Sequence, residues 1–403
     1  MKKFIKNYKS SLIIFLSLII GLIIGLIFKE KAIYLAPFGK LFINLLCILI
    51  IPIIFTSISS SIGQINSSKL KKLFKSILIV FIIMSITAAL VGVIATFSYR
   101  FVNKNNSITL TQTNVESEKI NFLDKTVNLI SVDDFNKLLT KENLVAIIIF
   151  SIIFGIAINL SKEKGKIILD NLISLNEIVM NMLKIVMKYA PIGIGAYFAS
   201  LVGTLGISIT ADYFKVFLYY TIISVIFAFI YYSLISALCN KDIKLFWKES
   251  LPVIATSLST CSSAACIPIN IKCCKNLSIK DEVANTTISI GTNFHKDGSI
   301  IDSVFKIMFL VYLFNKPVGI LSILLIALLA TLLISAVPIG GGTISEMLII
   351  SLLGFPIESL AILTIIATIT DAPATMLNAL GNTSAAVFVD NLFKRDKKKK
   401  IGV

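Results

Sequence analysis

The core of a bilayer offers the backbone no water, so unwound chain at membrane depth survives only where protein or a water-filled cavity supplies its hydrogen bonds. This sequence has apolar stretches long enough to cross a membrane, and some of them are interrupted at their centres. Six uninterrupted runs, at residues 11–28, 41–63, 76–101, 144–160, 179–202 and 214–238, each approach the roughly 17 to 25 residues of a spanning helix. Two later regions, 250–274 and 318–353, carry central Pro, Gly or Ser and read as re-entrant hairpins, while 287–313 and 360–392 read as spanning helices with a polar middle. With 56% hydrophobic and 15% charged residues and a mean hydropathy of +0.90, the chain is far from the roughly 25% charged of a soluble domain. The expected fold is therefore an all-α integral membrane protein of eight transmembrane helices and two re-entrant hairpins.

The net charge of +16 would suggest nucleic acid in a soluble protein. Here the lysines concentrate at the ends and in short connections: Lys2, Lys3, Lys6 and Lys9; Lys69, Lys71, Lys72 and Lys75; Lys162, Lys164 and Lys166; Lys241, Lys244 and Lys248; and the tail from Lys394. That is the positive-inside pattern, with both termini cytoplasmic. The mixed-charge loop 103–143 is expected outside, as a polar insertion without clear periodicity. The first run is expected to be retained, being too long for a cleaved leader and lacking an A-x-A site.

Breaks in corresponding positions of two half-repeats are the best sequence pointer to a transporter's binding site. The first pair is SLSTCSSAACIP at 257–268 followed by GTNFHKDGS at 291–299; the second is SAVPIGGG at 335–342 followed by DAPATMLNALGN at 371–382. Hairpin tips meeting at the midplane aim free N–H groups and helix N-termini at an anion such as an α-carboxylate, and a nearby aspartate takes an α-ammonium. Buried aspartates at Asp297 and Asp371 each cost several kcal/mol unless paired. The Gly340 to Gly342 run could be only a tight turn, and Ser262 and Ser263 could only bond backbone carbonyls within a helix. Cys261, Cys266, Cys273 and Cys274 cluster near the first break, but with no C-x-x-C pair and His295 as the single histidine they read as small buried side chains rather than a zinc site.

YAPIG at 189–193, SSAACIP at 262–268, KDGS at 296–299, VPIGGG at 337–342 and the spaced Asp371, Thr375 and Asn378 together resemble the dicarboxylate/amino acid:cation symporters, the glutamate-transporter family. The resemblance covers nearly the whole chain. It implies the glutamate-transporter fold with inverted repeats, a homotrimer in the bacterial plasma membrane, and an elevator motion. The scaffold would be residues 1–75 and 144–205, and the transport domain 76–102 and 212–393, with 103–143 an extracellular loop and 394–403 a basic cytoplasmic tail. It also implies substrate contacts from Ser262, Ser263, Ser299, Val337, Gly341, Gly342, Asp371, Ala374, Thr375 and Asn378. Cation coupling falls to Ser85, Gly291, Asn293, His295, Lys296, Asp297, Asn378 and Asn382.

The departures from that family bear on substrate and ion. Where acidic-substrate members carry an arginine, this chain has Ala374, and Cys261 stands where some relatives place another. A second substrate carboxylate would be buried without a cation, so the expected substrate is a small neutral amino acid of the serine, threonine or alanine type. An acidic amino acid or C4-dicarboxylate is the alternative. The family's NMDGT reads HKDGS here, Asn382 replaces an aspartate, and Phe81 and Met84 replace a tyrosine and a threonine. Oxygen ligands for sodium are thereby lost. Lys296 is expected as a built-in cation pairing with Asp297, or alternatively with Glu346, and His295 as a proton carrier or a replacement hydrogen-bonding group, leaving Na+ or H+ as the coupled ion. No cofactor and no catalytic residue are expected. A membrane hydrolase with Ser263 as nucleophile lacks any accompanying motif, and an ion channel would need a pore repeated by symmetry.

Overall fold

The computed structural model describes residues 2–64, 71–103, 131–140, 143–205, 208–332 and 342–401. Among these the regular structure is helical throughout. The helices are α1 (Lys2–Phe28), α2 (Ala36–Gly63), α3 (Lys71–Ser98), α4 (Leu144–Leu160) and α5 (Lys162–Leu205). Next come α6 (Ser208–Phe227, carried through a π turn at Ala228–Tyr232 into Ser233–Leu238), α7 (Ile243–Thr260), α8 (Ser263–Asn276) and α9 (Asp281–Phe294). The last four are α10 (Asp297–Leu313), α11 (Ile320–Leu332), α12 (Thr343–Leu353) and α13 (Ser359–Ile401). Leu73–Ser98, Lys162–Thr204, Thr210–Leu238 and Ser359–Lys394 are each long and apolar enough to cross a membrane.

The helices sort into two packing groups. Helices α1, α2, α4 and α5 pack chiefly on one another, and α3 and α6 to α13 pack around α10 and α13. Every residue of α10 from Asp297 to Leu310 is buried, as is most of α13 from Leu360 to Val389. These two helices form the axis of the second group, and a polar side chain on either must find its partners inside the protein.

The structure adds detail to three sequence readings. The fifth span is one helix of 44 residues, because Leu172, Val179 and Leu183 recur at helical spacing and are buried, so the charged residues after Lys162 ride on its opposite side. The predicted polar-centred span 287–313 is two helices, since His295 (φ −122°, ψ 113°) and Lys296 (φ −146°, ψ 73°) are extended between α9 and α10. The basic tail continues α13 as helix to Ile401. The first hairpin is present as α7 and α8, reversed at Cys261 in the left-handed region (φ 46°). The second consists of α11 packed on α12. Its expected break falls on residues outside those described, as does most of the loop 103–143.

Candidate functional site

The break between α9 and α10 delivers His295 into the interior. Its ring is fully buried and stacks on Phe81 at 4.7 Å between centroids, with 18° between planes. His295 Nδ1 lies 3.2 Å from Asn382 Oδ1 on α13, and Nε2 lies 3.1 Å from Asp297 Oδ1. The second approach is too oblique for a hydrogen bond. Both ring nitrogens thus face oxygen. Whether Nδ1 donates to or accepts from Asn382 depends on the ring tautomer and on how the amide is turned.

Asp297 closes the other side of this network. The Tyr232 hydroxyl donates to Asp297 Oδ2 at 3.0 Å and lies 3.1 Å from the Leu377 carbonyl. Tyr232 ends the π turn of α6; such turns insert a residue into a helix and often mark functional sites. Room for the network depends on Gly381, where a Cβ would meet Asp297 Oδ2, Tyr232 Oη and the His295 ring. Gly291 plays the same part on α9, where a Cβ would meet Asn382 Oδ1 and the Phe81 ring. Lys296 is buried beside these groups at 2% exposure.

One turn onward, α10 and α13 exchange side-chain bonds. Asn378 Oδ1 accepts from the Ser299 N–H at 3.1 Å, and its Nδ2 donates to Ser299 Oγ at 2.9 Å. Thr375 donates to Asp371 Oδ1 at 3.3 Å, and Asp371 itself is half-buried. Ala374 is buried at 7% exposure, and its carbonyl packs against Gly298. Asp371 is therefore partly accessible, beside the buried Thr370 and Ala374.

The first hairpin's tip is built by its own side chains. Ser262 caps α8, its Oγ accepting from the Ala265 N–H at 3.3 Å, and the Ser262 N–H donates to Thr260 Oγ1 at 3.3 Å. Ser262 is thus a helix cap rather than a group bonding backbone carbonyls within a helix. Ser263 is buried as the first residue of α8. Val337, Gly340 and Gly341 lie outside the described residues, whereas Gly342 immediately precedes α12. Asn293 is exposed, apart from the His295 network. Ser85 lines an apolar cavity of about 380 Å³ together with Phe81, Ile290 and Phe294.

Sequence reasoning missed the second buried centre on α10. Lys306 Nζ lies 2.7 Å from Asp302 Oδ2 and 3.1 Å from Glu346 Oε1 on α12. Thr370 donates to Asp302 Oδ1 at 2.8 Å and Thr364 to Glu346 Oε2 at 2.9 Å. Asp302 and Lys306 are four residues apart and so share a helix face, a signal readable in the sequence. Glu346, offered above as an alternative partner for Lys296, is held by Lys306 and Thr364. Tyr232, likewise missed, left no signal, because a tyrosine in an apolar run reads as packing.

Comparison with known proteins agrees with this architecture. The model of the sodium:dicarboxylate symporter family matches residues 11–392. The chain is 27% identical over 391 residues to the proton/sodium-glutamate symport protein of Geobacillus stearothermophilus, covering 93% of this chain and 92% of the relative. It is 24% identical over 391 residues to the C4-dicarboxylate transport protein of Anaeromyxobacter sp. (strain K), covering 93% and 88%. Excitatory amino acid transporter 1 of Ambystoma tigrinum is 26% identical over 271 residues, 63% of this chain and 48% of that one. Helices long and apolar enough to cross a membrane, interrupted segments in the sequence and a family match over residues 11–392 lead to one conclusion: this multi-pass membrane protein belongs to the sodium:dicarboxylate symporter family.

Proposed function

We propose that the protein is a secondary active symporter, not an enzyme, that imports a small neutral amino acid of the serine, threonine or alanine type. Asp371 receives the α-ammonium. The polar edge formed by Ser262, Ser263, Ser299, Thr375 and Asn378 lines the site, with the second hairpin through Gly342. The observation that carries the substrate assignment is the charge around Asp371. Ala374 occupies the position at which acidic-substrate members of the family carry arginine. The buried ammonium of α10, Lys306, is already shared by Asp302 and Glu346. A second substrate carboxylate there would be buried beside carboxylates, at a desolvation cost that an unmatched ion does not recover.

The coupled ion is H+ or Na+, and the network around His295 favours H+. A histidine titrates near pH 6.5, and its two ring nitrogens face Asn382 and Asp297. In this reading His295 is the proton carrier. In this reading α1, α2, α4 and α5 are the scaffold of a homotrimer in the plasma membrane, with cytoplasmic termini. The group around α10 and α13 is the body that moves by an elevator mechanism; the separate packing of the two groups supports that division.

A second reading, transport of glutamate or a C4-dicarboxylate, is favoured by the relatives, which are named as glutamate symport and C4-dicarboxylate transport proteins. Lys306 would then have to leave Glu346 to meet the extra carboxylate. Uptake of radiolabelled serine, alanine, aspartate, glutamate and succinate into liposomes separates the two. Saturable serine or alanine uptake driven by an inward proton gradient, without sodium, is the expected result. Sodium-driven uptake of aspartate, glutamate or succinate, with none of serine or alanine, overturns the neutral-substrate assignment.

A further inference from the structure

We infer that Lys306 is a resident cation that fastens α12, the returning arm of the second hairpin, onto α10 and α13, so that docking of this arm draws on no cation from solution. Lys306 is 2% exposed, and its partners Asp302 and Glu346 are 5% and 1% exposed. Buried carboxylates stay ionised only when paired and hydrogen-bonded, and each of these has both an ion-pair contact and a threonine hydroxyl. The arrangement spans three elements. Asp302 and Lys306 come from α10, Glu346 from the first turn of α12, and Thr364 and Thr370 from α13.

Removing the ammonium would leave two carboxylates facing one another in a dry interior, a place that a small hard cation with oxygen ligands would fill. Lys306 therefore does with a tethered group what an ion would otherwise do. Its position bears on the transport site. Thr370, which holds Asp302, directly precedes Asp371, and a Cβ on Gly342 would stand 3.9 Å from Lys306 Nζ and 3.5 Å from Glu346 Oε1. Lys306 is on this account a positioning residue: it acts on the site through Glu346 and the arm that Glu346 carries.

Hydrogen exchange of the full-length protein in liposomes tests this without reference to any substrate, so it stands or falls separately from the assignment of serine or alanine. In the wild type, amides of α12 should be equally protected with and without sodium. In Lys306→Ala they should exchange at least tenfold faster in a sodium-free, amine-free buffer. Sodium, or propylammonium, which restores the atoms the substitution removes, should return protection toward the wild-type level. A lysine that only fills space would give no such cation-dependent rescue.

Should Lys306→Ala fail to fold, Asp302→Asn/Lys306→Met/Glu346→Gln removes all the charges at near-constant volume. Its α12 amides should exchange at least tenfold faster than wild type and ignore both cations. The inference is overturned if wild-type protection of α12 appears only when sodium is added. It is equally overturned if Lys306→Ala exchange is indifferent to both cations, or if the triple variant is as protected as the wild type.

Discussion

The two buried polar centres along α10 are made from different chemistry. At the start of the helix, His295, Asp297, Tyr232 and Asn382 meet through hydrogen bonds and a 3.1 Å approach of the imidazole to the carboxylate. Farther on, Asp302, Lys306 and Glu346 meet through ion pairs of 2.7 and 3.1 Å. The first centre draws its side chains from the helix break, α6, α10 and α13. The second reaches across to α12. The first centre gathers hydrogen-bonding groups at a break in the helix, whereas the second ties three helices together through ion pairs and threonine hydroxyls.

The largest effect expected from breaking this contrast is on the second centre. Lys306→Met leaves Asp302 and Glu346 buried without a cation, and removing one partner of a buried pair costs roughly 3 to 5 kcal/mol. Thermal unfolding in detergent should show a midpoint far below wild type, with much of the loss recovered when Asp302→Asn and Glu346→Gln are added. A Lys306→Met protein as stable as wild type would mean that the ion pairs contribute nothing and that the two centres do not differ in kind.

A smaller effect is expected at the first centre. Tyr232→Phe removes the hydroxyl that Asp297 Oδ2 accepts while keeping the ring packed against Phe227 at 5.6 Å. A hydrogen bond to a charged group is worth about 1.5 to 3 kcal/mol. A guanidinium or thermal melt should place the loss near the lower end, because the neighbouring imidazole still contacts the carboxylate at 3.1 Å. A loss as large as that of Lys306→Met would show that Asp297 relies on tyrosine alone and that His295 contributes no charge.

The proton itself is addressed by His295→Gln. Glutamine keeps a hydrogen-bonding group facing Asn382 but does not titrate. Wild-type uptake should rise as the outside is acidified between about pH 8 and pH 5, the interval in which histidine changes charge. The variant should lose about tenfold of that response, equivalent to about 1.4 kcal/mol, when the membrane potential is held fixed. An unchanged pH profile would return His295 to a replacement for an asparagine hydrogen bond, with the coupling ion to be sought elsewhere.

How these centres were legible differs in the same way. The break at His295 and Lys296 stands out because polar residues interrupt an apolar run, and the reversal at Cys261 is marked by serine and cysteine between apolar helices. Local backbone events of this kind leave local signals. The unbroken 44-residue α5 was hidden because hydropathy counts charge without asking which face carries it. The partner of Lys306 was hidden for a deeper reason. Asp302 lies one turn away on the same helix, but Glu346 is forty positions along the chain on another element, and only packing brings it near. Tyr232 depends on the register that the π turn gives α6, which no residue type announces.

The smallest expected effect falls outside both centres and serves as their control. Ser262 belongs to the first hairpin, where its Oγ accepts from the Ala265 N–H at 3.3 Å and the residue is 8% exposed. Losing an N-cap costs about 1 kcal/mol, so Ser262→Ala should lower the unfolding midpoint slightly and leave the pH response and the α12 exchange at wild-type values. Its uptake carries the further information. If Ser262 only caps α8, the apparent affinity for serine stays within about twofold of wild type, because the backbone N–H groups at the start of α8 keep their direction. If Ser262 also contacts substrate, affinity falls about tenfold while the cap loss in stability remains the same, which separates a tip that shapes the site from one that touches its ligand.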